Sequence, residues 1–209
     1  MTAAQALYLL GHYQPGQSVL WHAGASGISI AGIQLSRADN ASGVYVTAGS
    51  QEKVDFCTRE LGATSGFNYK TDDWAAGVRK LTNENGVDLI VDYVGATHFQ
   101  GNLDSAAKDG RIVQLAQMGG SRLPAGIDIS GLVMKRLRLE GSTLRSRDQA
   151  YQEHLCDIFV ERCLPKFKDG TFKVFVEKVF PAEEISDAHK LLESNATKGK
   201  VICTFSWDP

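Results

Sequence analysis

The stretch that most constrains this chain is Ser18 to Ala31, SVLWHAGASGISIA: an apolar run, a turn of small residues, then a helix-like pattern. Val19, Leu20 and Trp21 suit a buried strand, Gly24 to Gly27 lets the backbone turn sharply, and Ile28, Ala31, Ile33 and Leu35 supply the buried side of a helix. The first N–H groups of such a helix have no partners within it, and its dipole favours negative charge, so a diphosphate fits there. The spacing is GxxGxS, from Gly24, Gly27 and Ser29, rather than the full GxGxxG dinucleotide fingerprint. A strand, small turn and helix also open many α/β domains that bind no nucleotide, so the turn alone leaves both readings open.

The next segment favours the nucleotide. Gly43 to Thr47 (GVYVT) is a second β-rich run, placed after the helix as a βαβ unit requires. An NAD-binding unit usually ends this strand with an acidic residue that takes the ribose hydroxyl. Here Thr47, Ala48, Gly49 and Ser50 stand there, with Lys53 one turn on. A small polar loop followed by a cation leaves room for a 2′-phosphate, which favours NADP over NAD. Glu52 and Asp55 oppose that preference if either faces the ribose, and Lys53 is equally at home on a solvated helix face.

Composition excludes several classes. With 22 basic and 24 acidic residues and no long block of one sign, the chain offers no basic footprint for nucleic acid. No apolar run reaches membrane-spanning length and Met1 to Leu10 does not read as a signal peptide, so a soluble cytoplasmic protein is expected. Cys57, Cys156, Cys163 and Cys203 form no CxxC pair, and His12, His22, His98, His154 and His189 form no HExxH. No metal site is expected. The cysteines read as packing residues, with Cys156 and Cys163, seven apart, able to share one helix face; His22, at the end of the first strand, is placed where it could approach a ligand, but structural packing is the favoured reading.

The remaining elements can be placed in chain order. Met1 to Gly11 favours helix, about Gln51 to Leu61 a second helix after the turn's own, and Gly66 to Tyr69 a third strand. A helix starts near Thr71 with Trp74, Val78 and Leu81 on one face. Val87 to Val94 is a central strand, ended by Gly95; Asp92 near its end can hydrogen-bond the loop beside a cofactor or be a structural partner, and the structural reading is favoured. A helix over Phe99 to Ala107 precedes a strand over Arg111 to Ala116 and the Met118–Gly119–Gly120 turn. Leu132 to Leu137 reads as a short helix, Leu139 to Leu144 as extended, and Gln149 to Leu164 as a helix closed by Pro165. Strands alternating with helices at this spacing predict a parallel sheet covered on both faces, the doubly wound α/β architecture. The tail differs: strand Lys173 to Phe180, amphipathic helix Ala182 to Asn195 and strand Val201 to Phe205 have no evident partners in that sheet. We expect two units, 1–171 and 172–209, the second being part of another domain.

The motifs HAGASGISIAGIQLSR, VTAGSQEK, LGATSGFNYK, LIVDYVG, QMGG and TLRSRD together resemble the quinone oxidoreductase branch of the medium-chain dehydrogenase/reductase superfamily, most closely its p53-inducible type. The similarity covers essentially the whole chain. It implies a Rossmann domain that binds NADPH, zinc-independent hydride transfer to a small-molecule quinone, and a C-terminal remnant of a GroES-like catalytic domain. The resemblance also implies that the N-terminal catalytic domain is missing, giving a shortened form. By the same resemblance Ala25, Ser26, Gly27, Ile28 and Ser29 hold the pyrophosphate, and Gly49, Ser50, Lys53 and Tyr69 the 2′-phosphate. Val94, Gly95, Met118, Gly119, Gly120, Thr143, Leu144 and Arg145 line the nicotinamide side. No catalytic acid or base is assigned. Ser29 replaces the usual glycine, and its side chain is expected to crowd or hydrogen-bond a phosphate. The segment Val133 to Leu144 is expected to pair two subunits into a homodimer. Two other functions stay open: a non-catalytic NADP-binding or dimerising module that regulates a full-length relative, and a reductase of activated alkenes.

Overall fold

The computed structural model describes residues 1–206. The chain starts with helix α1 (Thr2–Ala4), which continues as a π-helical stretch, Gln5–Leu10. Strand β1 (Ser18–Trp21) and helix α2 (Gly27–Ala38) flank the small-residue turn. Then come β2 (Gly43–Ala48), α3 (Gln51–Arg59), β3 (Ser65–Asn68), α4 (Trp74–Leu81) and β4 (Val87–Asp92). Helix α5 (Phe99–Ser105), β5 (Ala106–Gln114), α6 (Ser130–Met134) and β6 (Arg138–Gly141) complete the sheet region. Helix α7 (Gln149–Ile158) runs through a π stretch, Phe159–Cys163, into α8 (Leu164–Lys168). The tail holds β7 (Val176–Pro181), α9 (Ile185–Glu193) and β8 (Lys200–Thr204).

Six strands form one parallel sheet in the order β3-β2-β1-β4-β5-β6. After β3 the chain crosses back to the far side of β1, so β1 and β4 are neighbours at the point where the strand order reverses. Open α/β sheets bind ligands in the crevice outside the carboxyl ends of the strands at such a point. Strand period two divides the sheet's buried residues between its faces. Val19, Trp21, Val44, Val46, Leu89, Val91 and Val113 pack under α1, α2 and α7, whereas Leu20, Tyr45, Ile90 and Ile112 pack under α4 and α5. This is the doubly wound α/β fold that the alternation of strands and helices predicts.

The tail strands pair only with each other among the described residues, also in parallel, with α9 as the crossover. The last three residues of the expected 172–209 unit lie outside the described residues.

Several local expectations need correction. The long helix does not stop at Pro165: the π stretch resets the turn, and Pro165 falls in the first turn of α8, where its missing N–H costs nothing. The same stretch carries extra residues per turn and throws Cys156 and Cys163 out of phase, leaving Cys156 exposed and Cys163 buried. Leu81 is 49% exposed because α4 ends there and no further turn covers it. Strand β5 begins at Ala106, five residues before the expected start, with a shift in register against β4 between Val87 and Leu89. Strand β7 is exposed at every residue except Phe180, not on alternate ones, and α9 is the element that packs against the tail strands.

Candidate functional site

Nearly all the residues expected to hold a ligand stand in loops or helix starts after the carboxyl ends of strands, so the sheet brings them to one edge. The turn after β1 is fixed by Ser26, which caps α2: its hydroxyl accepts the Ser29 N–H at 3.3 Å. Ser29 turns inward, against expectation. It is fully buried and donates to the His22 carbonyl at 2.7 Å, so it neither crowds the open side of the turn nor points at a phosphate. Gly27 leaves room for the end of the Lys200 side chain, whose Nζ would stand 2.6 Å from a Cβ built there.

Gly49, Ser50, Lys53 and Tyr69 come together after β2 and β3. Ser50 caps α3 by accepting the Lys53 N–H, and the Tyr69 hydroxyl lies 2.9 Å from where a Gly49 Cβ would stand. The Lys53 side chain is not free: its ammonium donates to the Asn195 carbonyl at 2.6 Å. Burial, then the neighbouring Lys70, lower its pKa.

The loops after β4 and β5 are stitched together. Met118 N–H donates to Tyr93 O (3.0 Å), Gly119 N–H to Val94 O (2.7 Å) and Ala96 N–H to Gly120 O (3.0 Å). Val94, Gly95 and Met118 to Gly120 therefore form one wall. The loop after β6 begins where Ser142 N–H donates to Gln114 O at 3.1 Å. Within it Thr143 hydrogen-bonds Ser146, Leu144 leans on the core and Arg145 is exposed.

Beneath this edge runs a buried polar chain in which the sequence singles out every member but Asn102. The Asp92 carboxylate accepts Val94 N–H at 2.6 Å and Gly95 N–H at 3.1 Å, fixing the β4 loop. Its other oxygen accepts from Asn102 Nδ2 at 2.9 Å, which orients the amide so that Asn102 Oδ1 faces His22 Nε2 at 2.7 Å. Nε2 therefore carries the proton and Nδ1 accepts from Thr47 Oγ1 at 2.8 Å. Burial pushes the His22 pKa down to about 4. His98, stacked on Trp74 and edge-on to His22 and Tyr69, is also lowered to about 4 by burial. Burial raises the Asp92 pKa, and its backbone donors counter that in part. These are neutral, packed histidines. Among the described residues no group of three His, Cys, Asp or Glu side chains could hold a metal ion.

The role of the tail is also absent from the expectations. Residues 195–200 return to the carboxyl edge of the sheet. Gly199 N–H donates to Ala25 O at 3.0 Å and bridges Ser26, Lys198 pairs with Glu52 at 2.5 Å, and Lys200 lies over Gly27. The signal was the run Lys198-Gly199-Lys200, but nothing in it says to which edge it returns. An apolar cavity of about 170 Å³ lies behind this contact, lined by Ile30, Phe159, Phe172 and Phe175 among others.

A family model described as zinc-binding dehydrogenase matches residues 27–161. A 2-haloacrylate reductase from Burkholderia sp. is 30% identical over 97% of this chain and 60% of its own length. The crystal structure of an NAD-dependent alcohol dehydrogenase superposes with a TM-score of 0.82 at 32% identity, over 98% of this chain and 56% of that one. An Escherichia coli quinone oxidoreductase complexed with NADPH gives a TM-score of 0.79 at 26% identity, over 96% and 62%. The chain thus spans 56–62% of the length of these three relatives.

Proposed function

Because this chain belongs to the zinc-binding dehydrogenase family, we propose that it binds NADPH at the carboxyl edge of its sheet and serves hydride transfer to a quinone. The observation that carries this reading is the joint placement of a glycine turn at α2 and a small, basic corner at Gly49, Ser50, Lys53 and Tyr69. The amides of the first turn of α2 bind the diphosphate with Ala25 to Ser29 around them, and Lys53 reads the 2′-phosphate. The paired loops at Val94–Gly95 and Met118–Gly120, with Thr143 to Arg145, shape the nicotinamide side. Bound NADPH supplies the hydride, and the protein's part is orientation and cover. Residues 172–209 belong, in this reading, to a second domain, and β6 at the sheet edge joins two copies. The p53-inducible quinone oxidoreductase type is the branch whose motifs support this reading.

The test is NADPH oxidation with an ortho-quinone, with NADPH binding followed by fluorescence in the same samples. Turnover above the uncatalysed rate supports the reading. Binding without turnover leaves a cofactor-binding module that could regulate a longer relative, and no binding removes the reading. Lys53→Ala is expected to weaken NADPH by about tenfold more than NADH. A second acceptor class has its own support: the similarity to a 2-haloacrylate reductase favours an activated alkene, which accepts hydride in the same geometry. Substituting a 2-haloacrylate for the quinone in the same assay separates the two.

A further inference from the structure

Glu52 stands on the first turn of α3, one residue from Lys53, and a carboxylate there repels a 2′-phosphate. In the structure that carboxylate is not left alone. Lys198, brought back by the tail, donates to Glu52 Oε1 at 2.5 Å, and the ion pair holds the Glu52 carboxyl below its ordinary range and raises the Lys198 amine. Lys198 is itself held in place, its backbone N–H donating to Glu177 Oε2 at 2.9 Å and its neighbour Gly199 bonded to Ala25. Three residues earlier in the tail, the Asn195 carbonyl takes the Lys53 ammonium.

Resting on the NADPH reading above, we propose that Lys198 is a specificity-determining residue: it neutralises Glu52 so that Lys53 faces the 2′-phosphate with net positive charge around it. Asn195 parks the Lys53 ammonium in the absence of ligand, and the phosphate replaces that carbonyl. The tail is then part of the cofactor choice. Without Lys198, Glu52 and Glu177 both remain near Lys53, and the corner that favours NADP in the sequence becomes nearly balanced. Pairing with Lys198 is how a chain with an acidic residue beside the ribose position can still select the phosphorylated cofactor.

A double-mutant cycle tests this, with Kd for NADPH and for NADH measured by dihydronicotinamide fluorescence on the full chain. Lys198→Gln is expected to weaken NADPH about fivefold and leave NADH within twofold, because an exposed ion pair acting on a doubly charged phosphate carries an effect of that order. Glu52→Gln, alone or together with Lys198→Gln, is expected to bind NADPH within about twofold of the parent, since the unmasked carboxylate is the whole effect. Lys198→Arg, which keeps the charge, is expected to bind as the parent does. Equal loss of NADPH and NADH in Lys198→Gln would overturn the proposal by making Lys198 a structural anchor. A loss that persists in the Glu52→Gln background would overturn it too, since Lys198 would then contact the phosphate directly. If the parent chain binds neither cofactor, the NADPH reading itself falls and this inference with it.

Discussion

The six-stranded sheet and the two-stranded tail are both parallel and both use helix crossovers, yet they are held by different physics. Each central strand of the sheet is covered on both faces, and β1 and β2 are buried at every residue. In β7 only Phe180 is buried, while Val176, Val179 and Ile202 are 38–53% exposed and Val174 reaches 67%. The sheet stands on area removed from water. The tail stands on a few directed contacts to the sheet domain: Gln34 with both backbone groups of Lys173, Phe56 edge-on to Phe175, and the Lys198, Gly199 and Asn195 contacts. Parallel pairing alone therefore does not indicate a covered sheet; here the tail's position is specified mainly where it meets the carboxyl edge of the sheet.

The largest expected effect is in the sheet. Trp21 is fully buried and donates Nε1 to Ser36 Oγ at 3.0 Å, so Trp21→Ala is expected to cost about 3–5 kcal/mol in urea unfolding. Acid comes next. His22 and His98 have folded pKa values near 4, below their unfolded values, so their contribution is complete above about pH 6.5 and is lost as pH falls toward 4. Asp92, raised by burial, acts in the opposite sense, with its backbone donors offsetting part of that shift. Melting temperature is expected to drop between pH 6.5 and 4.5, and His98→Phe to flatten that drop; an unchanged slope would show that the slope comes from elsewhere. Ser26→Ala, at the junction of the two regions, removes the α2 cap and is expected to lower stability by about 1 kcal/mol. Smallest of all, Val179→Ala in the tail is expected to stay within about 0.5 kcal/mol. If it cost as much as Trp21→Ala, β7 would be covered in solution, and the contrast between the two regions would fail.

The sheet was legible because its strands announce themselves as apolar runs between turn residues, as in LIVD and SVLW, and the period changes at each helix. The turn at Gly24 to Gly27 and the corner at Gly49 to Lys53 were legible for the same reason, since glycine and serine mark where backbone must turn. The orientation of Ser29 was not, because a hydroxyl at a helix start can face either way and only the free His22 carbonyl decides it. Nor was the π stretch at Phe159–Cys163, which has no sequence period of its own. The Thr47–His22–Asn102–Asp92 chain joins four elements across the sheet, and the return of Lys198 to Glu52 spans 146 residues; such pairings leave no local trace.

That sequence distance also governs when the carboxyl edge is finished. The turn at α2 depends on β1 and its neighbours, but Lys53 and Asn195 are 142 residues apart, and closing so long a loop carries an entropy cost that short-range contacts do not. Contacts of this span are expected to form after the sheet that positions their partners, which pulse-labelling hydrogen exchange during refolding checks. Changes at Lys198 or Gly199 therefore act chiefly on the rate at which the tail comes away and little on the rate at which the sheet forms, so the lifetime of the completed carboxyl edge can be tuned from the tail without slowing the birth of the fold.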